Sequence, residues 1–308
     1  MAASAVMPIP KGISLKNILL TTDLSEASEK AFHYAVAVAR RHGSKIFLMH
    51  VTEPESISFI AELPDQHRRG EVQRQIDNMA SRSELNQIPH QTVIRAGSVW
   101  NMVSAVIRQQ EIELVVLGTH GRSGLKKLAL GSVAEEVIRS SSCPVLTVGP
   151  HIDVKLNKAA VFERILFATD FHSASAKALD YALYLANTQH ATLMLLHVMP
   201  PAALPGPGQS FWNEPAITQW ETKVKANVTE KLQNLLALGV RLWSEPEYVV
   251  SFDFIADGIL KTAAARKADL IITGAKRPAF VRVSAHSLGA ISYEVIRRAN
   301  CPVLTVSA

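Results

Sequence analysis

The chain has 308 residues, 48% of them hydrophobic, and carries 32 basic against 27 acidic side chains, for a formal charge of +5. That length suits two compact domains better than one, and that hydrophobic content excludes a disordered chain. The small basic excess is scattered over pairs such as Arg40-Arg41, Arg68-Arg69 and Arg297-Arg298; with no stripe of cations and aromatics, nucleic acid is not an expected partner.

Met1 to Pro10 lacks the charged start and apolar core of a signal peptide, and no apolar run approaches the roughly 18 residues that span a bilayer. Short apolar runs then alternate with longer amphipathic segments, the pattern of β-α-β units. Strands are predicted at Asn17–Thr22, Lys45–Val51, Gln91–Arg95, Leu114–Leu117 and Val145–Val148, and helices over Glu26–His42, Asp65–Asn86, Val99–Gln109 and Val133–Ser140. From Gly149 to Glu163 the apolar periodicity lapses, and a linker is expected there. Beyond it the pattern starts again: Ile18-Leu-Leu-Thr-Thr-Asp23 returns as Ile165-Leu-Phe-Ala-Thr-Asp170, Ala27-Ser28 as Ala174-Ser175, and His50-Val51 as His197-Val198. Pro200–Gly208 is too rich in Pro and Gly for regular structure and reads as a surface loop.

Both halves close on Cys-Pro-Val-Leu-Thr-Val, so the two cysteines, Cys143 and Cys301, read as a buried repeat pair with no disulfide, in a reducing, cytoplasmic setting. Strands this apolar belong in a parallel sheet covered by helices on both faces. The fold class is therefore α/β, two tandem doubly wound five-stranded parallel sheets, with domains at 1–150 and 151–308.

The chemistry concentrates between Val116 and Glu136. A strand ends at Gly118, a glycine-rich loop with Gly121, Gly124, Lys126 and Lys127 follows, and a helix begins at Ser132 after Gly131. Glycine lets backbone approach a phosphate chain, and a helix N-terminus offers unpaired N–H groups and the positive end of its dipole. Each position also has a plain structural reading. Ser132 with Glu135 is a capping box, Gly118 and Gly121 suit a tight turn, and Asp23 precedes a helix as a capping residue would.

The spacing Gly118-x2-Gly121-x9-Gly131-Ser132, with Gly-Thr-His-Gly-Arg-Ser-Gly and Cys-Pro-Val-Leu-Thr-Val, resembles the ATP-binding universal stress proteins, of the adenine-nucleotide alpha-hydrolase-like fold. The resemblance runs along nearly the whole chain, twice over. It implies that Asp23 and the backbone at Val51 hold the adenosine half of ATP or a related adenine nucleotide, and that Leu117 and Gly118 lie against the ribose. Gly121, Gly131, Ser132 and Val133 would contact the phosphates, with Mg²⁺ left open as a companion. Thr21 lines the same site and departs from the proline that nucleotide-binding members often carry there. The resemblance also implies that the last strands, Val145–Val148 and Val303–Val306, pair across a two-fold as an internal pseudo-dimer, a further homodimer and an unidentified protein partner being left open.

The second half departs in its loop. The interval from Gly274 to Gly289 is 15 residues against 13 from Gly118 to Gly131, Arg277 stands in the place of Gly121, and Ala290 in that of Ser132. A long side chain there fills space that phosphates need, so the second site is expected to bind nucleotide weakly or not at all, with Lys276, Arg277 and Arg282 leaving open an anion site of another shape.

No catalytic constellation emerges. His50 and His197 sit inside apolar strands and read as core histidines, His120 has no carboxylate spaced to orient it, and no Walker-type lysine precedes a Ser or Thr. The leading expectation is a nucleotide-binding stress-response regulator or sensor. The alternative is a slow ATP hydrolase or another nucleotide-hydrolysing enzyme of the same superfamily; a nucleotide-independent scaffold is disfavoured by the intact first loop.

Overall fold

In the computed structural model, residues 12–52, 65–119, 130–154, 162–200, 214–236, 240, 242–275 and 290–307 are described. The first half runs β1 (Asn17–Thr21), α1 (Glu26–His42), β2 (Lys45–Thr52), α2 (Asp65–Ala80), a 3₁₀ turn (Ser83–Leu85), β3 (His90–Ala96), α3 (Val99–Gln109), β4 (Leu114–Gly118), α4 (Ser132–Ser140) and β5 (Val145–Val148). The second half repeats it: β6 (Arg164–Ala168), α5 (Ser173–Gln189), β7 (Thr192–Met199), α6 (Glu214–Asn234), β8 (Glu247–Phe252), α7 (Ile255–Ala265), β9 (Leu270–Ala275), α8 (Ala290–Arg298) and β10 (Val303–Ser307).

All ten strands form one sheet in the order β3-β2-β1-β4-β5-β10-β9-β6-β7-β8. Within each half every pairing is parallel; the halves meet where β5 and β10 run antiparallel, with Leu146 opposite Leu304. Thr147 Oγ1 adds a hydrogen bond to Val303 O across this seam (3.0 Å). The tandem halves are thus built as a pseudo-dimer, in which each last strand covers what would be an open edge on the other.

Alternation along each strand feeds two cores. Ile18, Leu20 and Val116 point to one face, under Phe32 and Ala35 of α1 and their counterparts on α5; Leu19, Val115 and Leu117 point to the other, under Val106 of α3 and Val137 of α4. Both clusters continue across the seam into the second half. This explains the unbroken apolar runs of the inner strands such as β4, β5, β6 and β10, neither face of which is exposed to water, whereas the edge strand β3 keeps exposed positions. On the α1/α5 face the halves also interlock through side chains. The Tyr34 and Phe162 rings stack (6.3 Å), Arg41 Nε donates to Thr188 O (2.8 Å), and His42 Nδ1 meets the Tyr184 hydroxyl (3.0 Å). Burial, assisted by Arg41, pushes His42 down to about 4, so it is neutral in this contact.

Two details differ from the sequence reading. The helix expected over Asp65–Asn86 stops at Ala80, where Ser81 Oγ donates to Asn78 O (3.1 Å) and a 3₁₀ turn takes over. The linker region is anchored at both ends, with Ile152 and Phe162 buried at 2% and 3% exposure. Of the Pro200–Gly208 loop, residues 201–208 lie outside the described residues.

Candidate functional site

In the first half β1 has β2 on one side and β4 on the other, so the chain winds away in both directions from the carboxyl end of β1. Ligands of open α/β sheets sit in the crevice at such a switch point. Thr21 ends β1 there, half-buried, and the next residues form a tight hydrogen-bonded corner. Thr22 Oγ1 accepts from Leu24 N (3.0 Å) and donates to Ser28 Oγ (3.0 Å), which donates on to Ser25 O (2.9 Å). Leu24 takes a positive φ of 63°, a conformation this corner imposes on a residue with a side chain. Asp23 Oδ1 accepts from Ser25 N (3.1 Å), and the α1 N-cap is Ser25, whose hydroxyl accepts from Ser28 N (3.3 Å). Asp23 is therefore not the helix cap that its sequence position suggested; Ser25, two residues on, has the extended backbone a cap requires.

Val51 lies on β2 two residues past Met49, the partner of Thr21 at the end of β1. Thr22 N donates to Met49 O (2.9 Å), and strand alternation aims the peptide groups of Val51 toward the same side, where β1 has already turned off. The next rung is taken by a side chain, because His50 Nδ1 lies 2.7 Å from Thr22 O. A carbonyl only accepts, so Nδ1 carries the proton, and His50, at 7% exposure, is the satisfied core histidine expected from the sequence. His197 repeats the contact on Thr169 O (2.8 Å).

The loop that begins at Gly118 is tied at its base. Thr119 N donates to Val148 O (3.0 Å), and Gly131 N donates to Thr119 O (2.9 Å), which brings the two ends of the loop together. Gly121, His120, Lys126 and Lys127 lie outside the described residues. At the far end α4 starts at Ser132 with Gly131 as its N-cap and no side-chain capping bond. The capping box read from Ser132 and Glu135 is thus overturned. Ser132 is already inside the helix, and a glycine cap has no oxygen to offer the first-turn N–H groups. Val133, in that first turn, is 41% exposed. Thr21, Asp23, Val51, Gly118, Gly131, Ser132 and Val133 all belong to the strand ends and loop bases of this edge. Leu117 is different, because its side chain is buried at 3% in the core under α3 and α4 and only its backbone could face a ligand.

Gly118 has a structural duty of its own. A Cβ at this position would stand 2.7 Å from Ala27 C and 2.8 Å from Ser28 N, so its absence lets β4 lie against the first turn of α1. Gly274 repeats this against Ala174 and Ser175, at 2.5 and 2.6 Å.

The second half keeps this corner, with His172 N in the place of Ser25 N on the carboxylate, but its serine hydroxyl turns to that carboxylate. Ser175 Oγ donates to Asp170 Oδ1 (2.6 Å), His172 N donates to the same oxygen (3.0 Å), and the His172 ring lies 3.1 Å from Oδ2. In the first half the equivalent hydroxyl, Ser28, donates to Ser25 O instead. Phe171 adopts the positive φ of 62° that Leu24 has, with its ring 4.7 Å from that of His197. Lys276, Arg277, Arg282 and Gly289 lie outside the described residues.

Among the described residues no cluster of three or more His, Cys, Asp or Glu could hold a metal ion, and no helix is long and apolar enough to cross a membrane. Cys143 and Cys301 are both free and buried; burial pushes both thiols up, Cys301 to about 12. A narrow cleft at the seam, lined by Leu15, Val38, Leu146, Phe162, Tyr181 and Leu304, sits toward the amino ends of the strands. Its aliphatic and aromatic walls are unsuited to a phosphate.

Thr22, Ser25, Ser28 and Thr119 shape the corner yet escaped the sequence reading as site residues. The recurrence of Thr22 as Thr169 and of Ser28 as Ser175 was the available signal.

The model of the Universal stress protein family matches residues 14–149 and again 162–307. Single-domain relatives include universal stress protein MJ0531 of Methanocaldococcus jannaschii, 28% identical over 43% of this chain and 81% of its own length. Universal stress protein YxiE of Bacillus subtilis is 27% identical over 42% of this chain and 97% of its own. Among solved structures, a universal stress protein from Archaeoglobus fulgidus covers 96% of this chain and 97% of its own at a TM-score of 0.65 and 21% identity, which speaks for the fold alone. A universal stress protein solved in complex with cAMP aligns with 48% of this chain at 18% identity and a TM-score of 0.33, too distant to speak for the ligand here.

Proposed function

The chain belongs to the universal stress protein family, with two tandem copies of its domain, and from that premise we propose that the first half binds ATP or a related adenine nucleotide at the carboxyl edge of its sheet. The observation that carries this reading is the meeting, at the switch point between β1 and β4, of the Asp23 corner, the outward peptide of Val51 and the glycine-capped start of α4. Val51 would read the adenine through its backbone, and Asp23 would accept from the ribose hydroxyls. Gly121, Gly131, Ser132 and Val133 would wrap the phosphates, whose charge suits the positive end of the α4 dipole. Any Mg²⁺ would ride on the phosphates.

The division proposed is 1–150, with a working nucleotide loop, and 151–308, with a degenerate one. Besides the lengthened loop, the Ser175 hydroxyl donates to Asp170 Oδ1 (2.6 Å) where its counterpart Ser28 donates to Ser25 O (2.9 Å), so the second corner presents its carboxylate differently. We read the protein as a cytoplasmic stress-response regulator or sensor. Bound nucleotide would shift a conformational or assembly equilibrium, a further homodimer included, only by its different affinity for the two states.

Calorimetry with ATP on the full-length chain tests this directly. Asp23→Ala should weaken binding about tenfold, as expected for losing a charge-assisted hydrogen bond, whereas Asp170→Ala should leave it unchanged. Equal effects of the two substitutions, or no binding by the unaltered chain, would refute the assignment. Assaying the same samples for ADP and AMP after long incubation separates a sensor from a slow hydrolase, for which turnover above about one per minute would speak.

A further inference from the structure

The base of the first half's loop is also held from the other half. Tyr293 lies on α8, and its hydroxyl accepts from the N–H of Leu130 (3.4 Å), 163 residues away in the chain. Leu130 immediately precedes the glycine cap of α4. Its side chain is buried at 6%, and the Tyr293 ring packs against the same core cluster. The next N–H, that of Gly131, goes to Thr119 O (2.9 Å). Two consecutive peptide groups at the entrance to α4 are therefore fixed by different parts of the molecule, one by the end of β4 and one by the second half.

We propose that Tyr293 is a positioning residue for the glycine-capped start of α4, through which the second half sets the phosphate affinity of the first. This rests on the nucleotide reading above. Gly131 joins the loop to the helix and, having no side chain, is the loosest joint in the segment. With the Leu130 peptide held on one side of it and α4 on the other, the first-turn N–H groups of Ser132 and Val133 stand oriented before a ligand arrives. Donors that are ordered in advance spare the binding step the entropy of ordering them. The role for the second half is then to brace its neighbour's site, a role open to it whatever ligand its own loop takes.

The test is calorimetry on the full-length chain, unaltered and as Tyr293→Phe, with ATP and with adenosine. The phenylalanine keeps the packed ring and removes only the acceptor. A bond of 3.4 Å lies at the long end of the range, so its loss should weaken ATP about two- to fivefold. Adenosine, which lacks the phosphates, should bind as before, and hydrogen exchange at the Leu130 amide should accelerate. An unchanged ratio of ATP to adenosine affinity overturns the proposal while the nucleotide reading stands. So does an equal loss for both ligands, which would mark general damage to the fold. If the unaltered chain binds neither ligand, the nucleotide reading itself has failed.

Discussion

Replacing Gly118 with alanine would add one methyl group where the structure has no room for it. The new Cβ would sit 2.7 Å from Ala27 C and 2.8 Å from both Ala27 O and Ser28 N, well inside carbon contact distance. The obstacle is backbone, and that backbone is the first turn of α1, held by the Ser25 cap and by Ser28 Oγ on Ser25 O. No rotamer change relieves the clash, so α1 must shift from β4 by several tenths of an ångström. Overpacking of this kind costs about 1–3 kcal/mol, which for halves of this size corresponds to a fall in the thermal midpoint of about 2–12 °C. Gly274→Ala meets Ala174 C at 2.5 Å and should cost as much. Only Gly118→Ala displaces the turn that carries Asp23, so it alone should also weaken ATP. Melting curves by circular dichroism at 222 nm, together with ATP titrations of both variants, measure the two effects. A Gly118→Ala midpoint within a degree of the unaltered chain would show that α1 and β4 are not pressed together there, and would refute the packing argument.

Ser132→Ala should leave stability within about 0.5 kcal/mol, because the hydroxyl is not a helix cap, whereas a true cap would cost about 1 kcal/mol. Urea denaturation distinguishes these values. Asp269 gives a pH dependence: burial pushes its carboxyl up to about 6, against the pull of hydrogen bonds from Glu163 N (2.7 Å) and Arg164 N (3.1 Å). A raised folded-state value means that the native protein holds this proton more tightly than the unfolded chain. The resulting stabilisation is full below about 4 and is lost as pH rises through about 6, by at most about 3 kcal/mol. Asp269→Asn should remove that fall; unfolding free energies measured in urea from pH 4 to pH 8 should converge for the two chains at the acid end of its effect, and parallel curves would refute it.

Much of the fold was legible because it is written in local patterns. The apolar runs at Ile18–Leu20 and Leu114–Leu117 announce strands buried on both faces, and the bounds of Glu26–His42 and Val99–Gln109 follow from their amphipathic period and their flanking residues. The repeat of Thr-Asp, Ala-Ser and Cys-Pro-Val-Leu-Thr-Val at matching places identifies two copies of one architecture. What misled at the site was one-residue register. Ser132 and Glu135 have the spacing of a capping box, but the helix begins one residue too early to use it, and Asp23 yields the cap to Ser25.

By itself, then, the sequence determined the elements, their doubling and the gathering of small and acidic residues at strand ends, since each depends on residues close in the chain. The pairing of the last strands, which the family resemblance implied, takes the form of an antiparallel seam that makes one sheet of ten strands. Only the tertiary structure decided that Gly118 serves α1 as well as any ligand, that the Ser175 hydroxyl turns to Asp170, and that Tyr293 reaches Leu130 of the other half. Those contacts join segments whose approach is set by sheet register and helix packing, and no periodicity along the chain encodes them.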